Sequence, residues 1–204
     1  MINKTVEPAF TRSSTYPISP IFMERWSRRA LSGESISEKE LMTLFEAARW
    51  APSCFNNQHW RFIYALKNSS AWPEFFGLLG EFNQKWTEKA GALIVILSKK
   101  SFDHNQKPSA THSFDAGAAW MSLALQGSIM GLVLHGMAGF DFSKARLVVD
   151  APEDYAVEAM VAVGRPGKRE DLPQEMQEKE SPSQRKALVE IAFAGKLKHV
   201  VPAQ

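Results

Sequence analysis

An α+β or three-layer α/β domain is what this sequence predicts, on three observations. Ser37 and Glu40 form a capping-box pair ahead of Leu41, Leu44, Phe45 and Ala48 at helical spacing, which marks a helix over residues 38–50. Two runs rich in branched and aromatic residues, 60–66 and 92–97, read as strands, the second apolar throughout and therefore central and buried. Helices and strands then alternate along the chain without a clean βαβ repeat.

Taken in order, residues 1–20 carry Pro8, Pro17 and Pro20 with no sustained periodicity, and predict an extended arm ahead of a single domain over 21–204. Residues 21–29 suit a short amphipathic helix, with Phe22, Met23 and Trp26 apolar and Arg25, Arg28 and Arg29 basic. Those arginines fit either a solvated face that favours the helix dipole or an anion clamp, because a guanidinium matches phosphate bidentately. Pro52 ends the helix that begins at Glu38. From Ala51 to Trp60 runs a polar hub, Ala-Pro-Ser-Cys-Phe-Asn-Asn-Gln-His-Trp, whose amides donate and accept hydrogen bonds without carrying charge. Such groups suit a flat heterocycle with mixed polar edges, and equally an ordinary turn.

Residues 67–83 read as loop and short helix, with Trp72, Phe75, Phe76 and Phe82 supplying apolar contacts. Residues 99–112 are polar, and His104 and His112 lack a matching carboxylate pattern, so no metal site is predicted. The helix over 114–130 is almost free of charge and carries Ala116, Gly117, Ala118, Ala119, Ala124 and Gly127. Small residues admit a close neighbour, and a domain of this size hardly surrounds such a helix, so it is expected in a homodimer interface rather than at the centre of a monomer. Residues 132–136 follow as a strand, and 136–141 as a loop whose glycines expose backbone N–H groups. Residues 157–164 form a strand closed by Gly164-Arg165-Pro166-Gly167; 168–184 make a surface excursion, and 188–193 an edge strand.

Composition narrows the function. The 204 residues suit one domain, with 45% hydrophobic and 23% charged residues, as in soluble globular proteins. A formal net charge of +2 is too small to argue for nucleic acid. A single cysteine rules out an internal disulfide and any cysteine-based zinc site. Residues 116–140 carry no formal charge, yet Ser122, Gln126, Gly127, Ser128, Gly131, His135, Gly136 and Gly139 interrupt them, so a buried helix is expected and not a membrane span. Glu7, Arg12 and scattered prolines stand where a signal peptide needs an apolar core, which predicts a cytoplasmic chain. No G-x-S-x-G elbow, P-loop or G-x-G-x-x-G is present.

Arg25-x-Ser27-x-Arg29, Ala51-Pro52-Ser53-x-x-Asn56-x-Gln58-x-Trp60, Gly136-x-x-Gly139-Phe140-Asp141 and Val163-Gly164-x-Pro166-Gly167 followed by Arg185-Lys186 stand in one order along the chain. In that order and spacing they resemble the FMN-dependent nitroreductase family, from about Phe22 to Phe193. The resemblance implies a three-layer α/β/α fold with a mostly antiparallel sheet, a homodimer, and FMN at the subunit interface. By position, Arg25, Trp26, Ser27 and Arg29 would bind the FMN phosphate, ribityl chain and ring edge, and Arg185 and Lys186 would complete the clamp. Pro52, Ser53 and Asn56 would shape the flavin pocket from the partner chain. Ala138 and Gly139 would present backbone N–H near the flavin N5, and Asn83 would meet the ring edge. Cys54 and Phe55 would border the substrate space, Cys54 as a small passive residue because no basic neighbour stands beside it in the sequence to activate it.

The activity so implied is transfer of hydride from NADH or NADPH through FMN to nitroaromatics, quinones or related small acceptors, with no protein acid or base assigned. The alternatives are a flavin reductase specialised for one metabolite and a flavin-binding module without turnover. The chain departs from the family at His59, where proline is common, at Trp86, where some members carry lysine, and at Ser183, which is basic in some relatives.

Overall fold

The computed structural model describes residues 12–197. Residues 1–11 of the predicted arm and 198–204 of the predicted domain lie outside the described residues. β1 (Trp60–Leu66), β2 (Ala92–Lys99), β3 (Val133–Met137) and β4 (Tyr155–Gly164) form one antiparallel sheet in the order β1-β2-β4-β3. Along β2, Leu93, Val95 and Leu97 enter one apolar cluster while Ala92, Ile94 and Ile96 enter another. Both faces of the strand are therefore covered, which is why its run is apolar throughout rather than alternating.

On one face lie α2 (Glu38–Arg49) and α5 (His112–Ile129), through Leu41, Leu44, Ala48, Ala119 and Leu123. The other face is covered by α3 (Trp72–Phe76), α4 (Glu81–Thr87), α6 (Phe142–Val148) and α7 (Gln174–Gln177), through Trp72, Phe75, Trp86, Ala145 and Met176. The predicted three-layer α+β class holds. The capping box is present, with Glu40 N–H donating to Ser37 Oγ at 3.2 Å and Ser37 N–H to Glu40 Oε2 at 2.9 Å. Among the described residues, no helix is long and apolar enough to cross a membrane.

Three expectations need correction. The helix predicted over 21–29 stops at Glu24: α1 is Ile21–Glu24, and Arg25 leaves it in extended backbone at φ −68°, ψ 124°. The edge strand predicted over 188–193 is a single 3-10 turn, Leu188–Glu190, whose Val189 is 76% exposed; no strand among the described residues meets it, and β-propensity alone does not make a strand. Helix α6 was not predicted, although Asp141 caps it by accepting from Lys144 N–H at 2.9 Å.

The small residues of α5 serve mainly the chain's own packing. A Cβ on Gly127 would lie 2.0 Å from Leu134 Cδ1, so this glycine is what lets α5 settle onto β3. Gly117, by contrast, faces open space, on the side where Phe114, Met121 and Ile129 are 80%, 37% and 68% exposed.

Candidate functional site

The segment that follows α1 crosses the end of the sheet. Gly167 N–H donates to Ala30 O at 2.9 Å, and Ser32 N–H to Arg165 O at 3.0 Å. A Cβ on Gly167 would come within 2.4 Å of the Leu31 carbonyl carbon, so only glycine permits this approach. The Val163–Gly167 motif thereby fixes the stretch that carries Arg25, Ser27 and Arg29. Buried Glu180 holds the same stretch from behind, Oε1 accepting from the N–H groups of Arg29 and Ala30 at 2.8 and 2.9 Å.

In front of it opens a cavity of about 280 Å³ lined by Arg12, Arg25, Trp26, Ser27, Arg29, His135, Lys179, Ser181, Ser183 and Arg185. No carboxylate stands in that lining. Burial first, then the nearby Arg185, holds the Arg25 guanidinium below its ordinary pKa. Arg12 is lowered by burial and then by Arg185 and Arg25. Arg29 Nε is buried without a hydrogen-bond partner among the described residues. Crowded guanidiniums with no carboxylate between them are a site for a compact anion.

Arg12 also ties the cleft together. Its Nη1 donates to Met23 O at 2.8 Å and Arg25 O at 3.1 Å, and its Nε to Ser183 O at 3.1 Å. His135, on β3, donates from Nδ1 to Arg28 O at 2.9 Å, since a carbonyl can only accept. Burial pushes its pKa down, the bond to Arg28 opposes this, and Arg29 and Arg25 lower it further. The imidazole therefore enters the cleft neutral, with Nε2 as an acceptor.

The hub lies elsewhere, as a 3-10 turn over Cys54–Asn56. Phe55, Asn56 and Gln58 have φ of 52°, 51° and 52°, in the left-handed region. For a bulky residue such as Phe55 that conformation costs about 1–3 kcal/mol and persists only where the surroundings over-determine it. Here Gln58 N–H donates to Ser53 Oγ at 3.0 Å, Cys54 N–H to Asp115 Oδ2 at 3.0 Å, and Gln58 Nε2 to Asn56 O at 2.9 Å. Phe55 is 80% exposed, its ring 5.7 Å from the rings of Phe102 and His104.

The glycine loop after β3 is pinned by residues 78–80. Gly80 N–H donates to Gly139 O at 3.0 Å, Asn83 Nδ2 to the same oxygen at 2.9 Å, and Asp141 N–H to Leu78 O at 2.9 Å. A Cβ on Gly139 would meet Asn83 Nδ2 at 2.7 Å.

With this geometry in view, the comparisons with known proteins are informative. Residues 22–165 match the model of the nitroreductase family. The chain belongs to that family. It is 31% identical to an uncharacterised 15.4 kDa protein in the ask 5′ region of Mycolicibacterium smegmatis, over 59% of this chain and 80% of that protein. The crystal structure of an oxidoreductase containing FMN is 43% identical, with TM-score 0.89, over 95% of this chain and 99% of that one. A nitroreductase family protein from Clostridium difficile 630 shares the fold at 17% identity, with TM-score 0.67, over 89% of this chain and all of that one.

Within this nitroreductase-family chain, the predicted residues fall into separate groups. Arg25, Trp26, Ser27, Arg29 and Arg185 share the basic cavity, whereas Lys186 is exposed and outside its lining. Pro52, Ser53, Cys54, Phe55 and Asn56 sit together in the hub and line neither that cavity nor a neighbouring one of about 250 Å³. Asn83 is already engaged: its Oδ1 accepts from Trp86 Nε1 at 3.2 Å and its Nδ2 holds Gly139. Trp86 is 2% exposed, a core residue.

The sequence reading missed Arg12, Lys179 and His135. No local pattern marks Arg12, whose bond to Ser183 joins residues 171 apart in the chain. His135 carried one usable signal, an imidazole in an otherwise apolar strand beside Gly136.

Proposed function

We propose that this chain is an FMN-dependent oxidoreductase that uses NADH or NADPH to reduce nitroaromatics, quinones or related small acceptors. The observation that carries the reading is the cavity of guanidiniums without a carboxylate, formed by Arg12, Arg25, Arg29 and Arg185. Its chemistry fits a phosphate monoester. Arg25, Arg29 and Arg185 hold the phosphate, Arg12 supports Arg25 and the 183–185 segment, and Ser27 and the neutral His135 meet the hydroxyls of the ribityl chain. The chemistry that FMN supplies when bound is acceptance of hydride from the nicotinamide and delivery of electrons to the acceptor. The chain's part is to bind, orient and shield the ring, with backbone N–H of Ala138 and Gly139 toward its reactive edge.

A cavity of about 280 Å³ sits at the lower bound of small-molecule sites. It takes a phosphate and part of the sugar chain, which leaves the ring system to be covered from elsewhere. The hub, lying outside that cavity, and the exposed apolar stripe of α5 both support a homodimer in which Pro52, Ser53 and Asn56 of one protomer close over the flavin of the other. Cys54 and Phe55 then border the acceptor.

A visible spectrum of the purified protein, followed by anaerobic NADH and then NADPH, tests the reading. A flavin band that bleaches with either donor and returns on adding a quinone is the expected result. A colourless protein that takes up no added FMN would overturn it.

A further inference from the structure

We infer that Asp115 is a positioning residue for the hub loop, acting with His59 as a buried brace that keeps residues 54–58 in their strained conformation. His59 is 0% and Asp115 3% exposed, so each depends on protein partners. The direction of each hydrogen bond follows from the geometry. Asp103 N–H donates to Asn57 Oδ1 at 2.8 Å, which turns the amide nitrogen of Asn57 toward His59 Nδ1 at 3.1 Å. Nδ1 therefore accepts, and the ring proton sits on Nε2. Nε2 is buried without a hydrogen-bond partner among the described residues and lies 3.6 Å from Asp115 Oδ2. That oxygen accepts from Cys54 N–H at 3.0 Å and from Thr111 Oγ1 at 3.4 Å.

One carboxylate on α5 thus faces three donors, two of them from the hub. Phe102 packs edge-on against the imidazole, with ring centroids 5.5 Å apart. An alanine at position 115 would leave Cys54 N–H, the Thr111 hydroxyl and the His59 Nε2 proton without the oxygen they share. The loop would then relax from its left-handed conformation, and Ser53 and Asn56 would lose their placement.

The only cysteine of the sequence, Cys54, lies half-buried inside the loop, so an acceleration of its reaction with a disulfide reagent such as DTNB reports loop opening. The experiment compares wild type, Asp115→Ala, Asn57→Leu and, as a control for general destabilisation, Leu123→Ala, a buried residue of α5 with no bond to the hub. The purified proteins are assayed for thiol reaction rate, melting temperature and FMN dissociation constant. Asp115→Ala is expected to speed thiol reaction at least tenfold and to weaken FMN about tenfold, and Asn57→Leu to do both to a lesser degree. Leu123→Ala is expected to lower the melting temperature without changing the thiol rate.

Should Asp115→Ala not fold, Asn57→Leu carries the same test. A wild-type thiol rate in the hub variants, or equal acceleration in Leu123→Ala, would overturn the brace. Faster thiol reaction with unchanged FMN affinity would reduce Asp115 to a structural role and so overturn positioning. The effect on FMN rests on the function proposed above, whereas the thiol rate does not. A wild-type protein that binds no flavin would therefore fail that reading and leave the brace to be judged on the thiol.

Discussion

The basic cleft draws its charges from distant stretches of chain, with Arg12 in the arm, Arg25 and Arg29 after α1, and Lys179 and Arg185 near the end. The hub makes its shape within a few consecutive residues and rests on one buried carboxylate. The cleft carries concentrated charge and little regular structure, and its guanidiniums repel one another until an anion arrives. The hub carries no charge of its own and is held by hydrogen bonds before any ligand comes. Binding strength and binding geometry are thus assigned to different parts of the molecule. Substitutions in the two should fail in different ways.

The largest expected effect is in the cleft. Arg25→Ala removes a charge-assisted, bidentate partner, a loss of about 2–3 kcal/mol, so FMN affinity should fall about 30- to 150-fold by fluorescence titration, with a shallower dependence on salt. Ser53→Ala removes the acceptor for Gln58 N–H in the hub. It should cost about 1 kcal/mol of stability in a denaturant melt and leave the salt dependence of FMN binding unchanged. Equal salt slopes in the two variants would erase the distinction between the regions.

A smaller effect is expected from Arg12→Ala, because its hydrogen bonds run to carbonyls of Met23, Arg25 and Ser183 and it shapes the cleft from its edge. FMN affinity should fall about tenfold, one neutral-to-charged hydrogen bond's worth.

The smallest effect is a pH dependence. His135 has its pKa lowered in the fold by burial, so below its ordinary value of 6.5 the unfolded chain takes up a proton that the folded chain refuses. Stability therefore falls as pH drops from 6.5 toward the lowered folded value, by at most about 1.4 kcal/mol per pH unit from this group. Urea midpoints between pH 7.5 and 5.5 should show the fall, and His135→Gln should flatten it.

What was legible in the sequence follows the same division. Strands β1, β2 and β4 and helix α2 were readable because their signals are local: apolar runs, a capping box and a terminating proline. The hub was readable as a polar stretch, but its strain was not. Nothing local announces that Phe55 is left-handed, or that the N–H of Cys54 beside it meets a carboxylate on α5, 61 residues away in the chain. Arg25, Arg29 and Arg185 were placed by resemblance, whereas Arg12 and Lys179 belong to the cleft only through folding. Residues 188–193 misled because branched residues favour a strand where a partner exists, and here the sheet ends at β1 and β3.

The central claim is that the cleft recognises the phosphate of a flavin, and titration of the flavin-free protein with FMN and with riboflavin, which differs by that phosphate alone, tests it most directly. The expected result is FMN binding at least a hundredfold tighter than riboflavin, with the gap closing toward unity in Arg25→Ala. Equal affinities for the two flavins in the unaltered protein would contradict the claim.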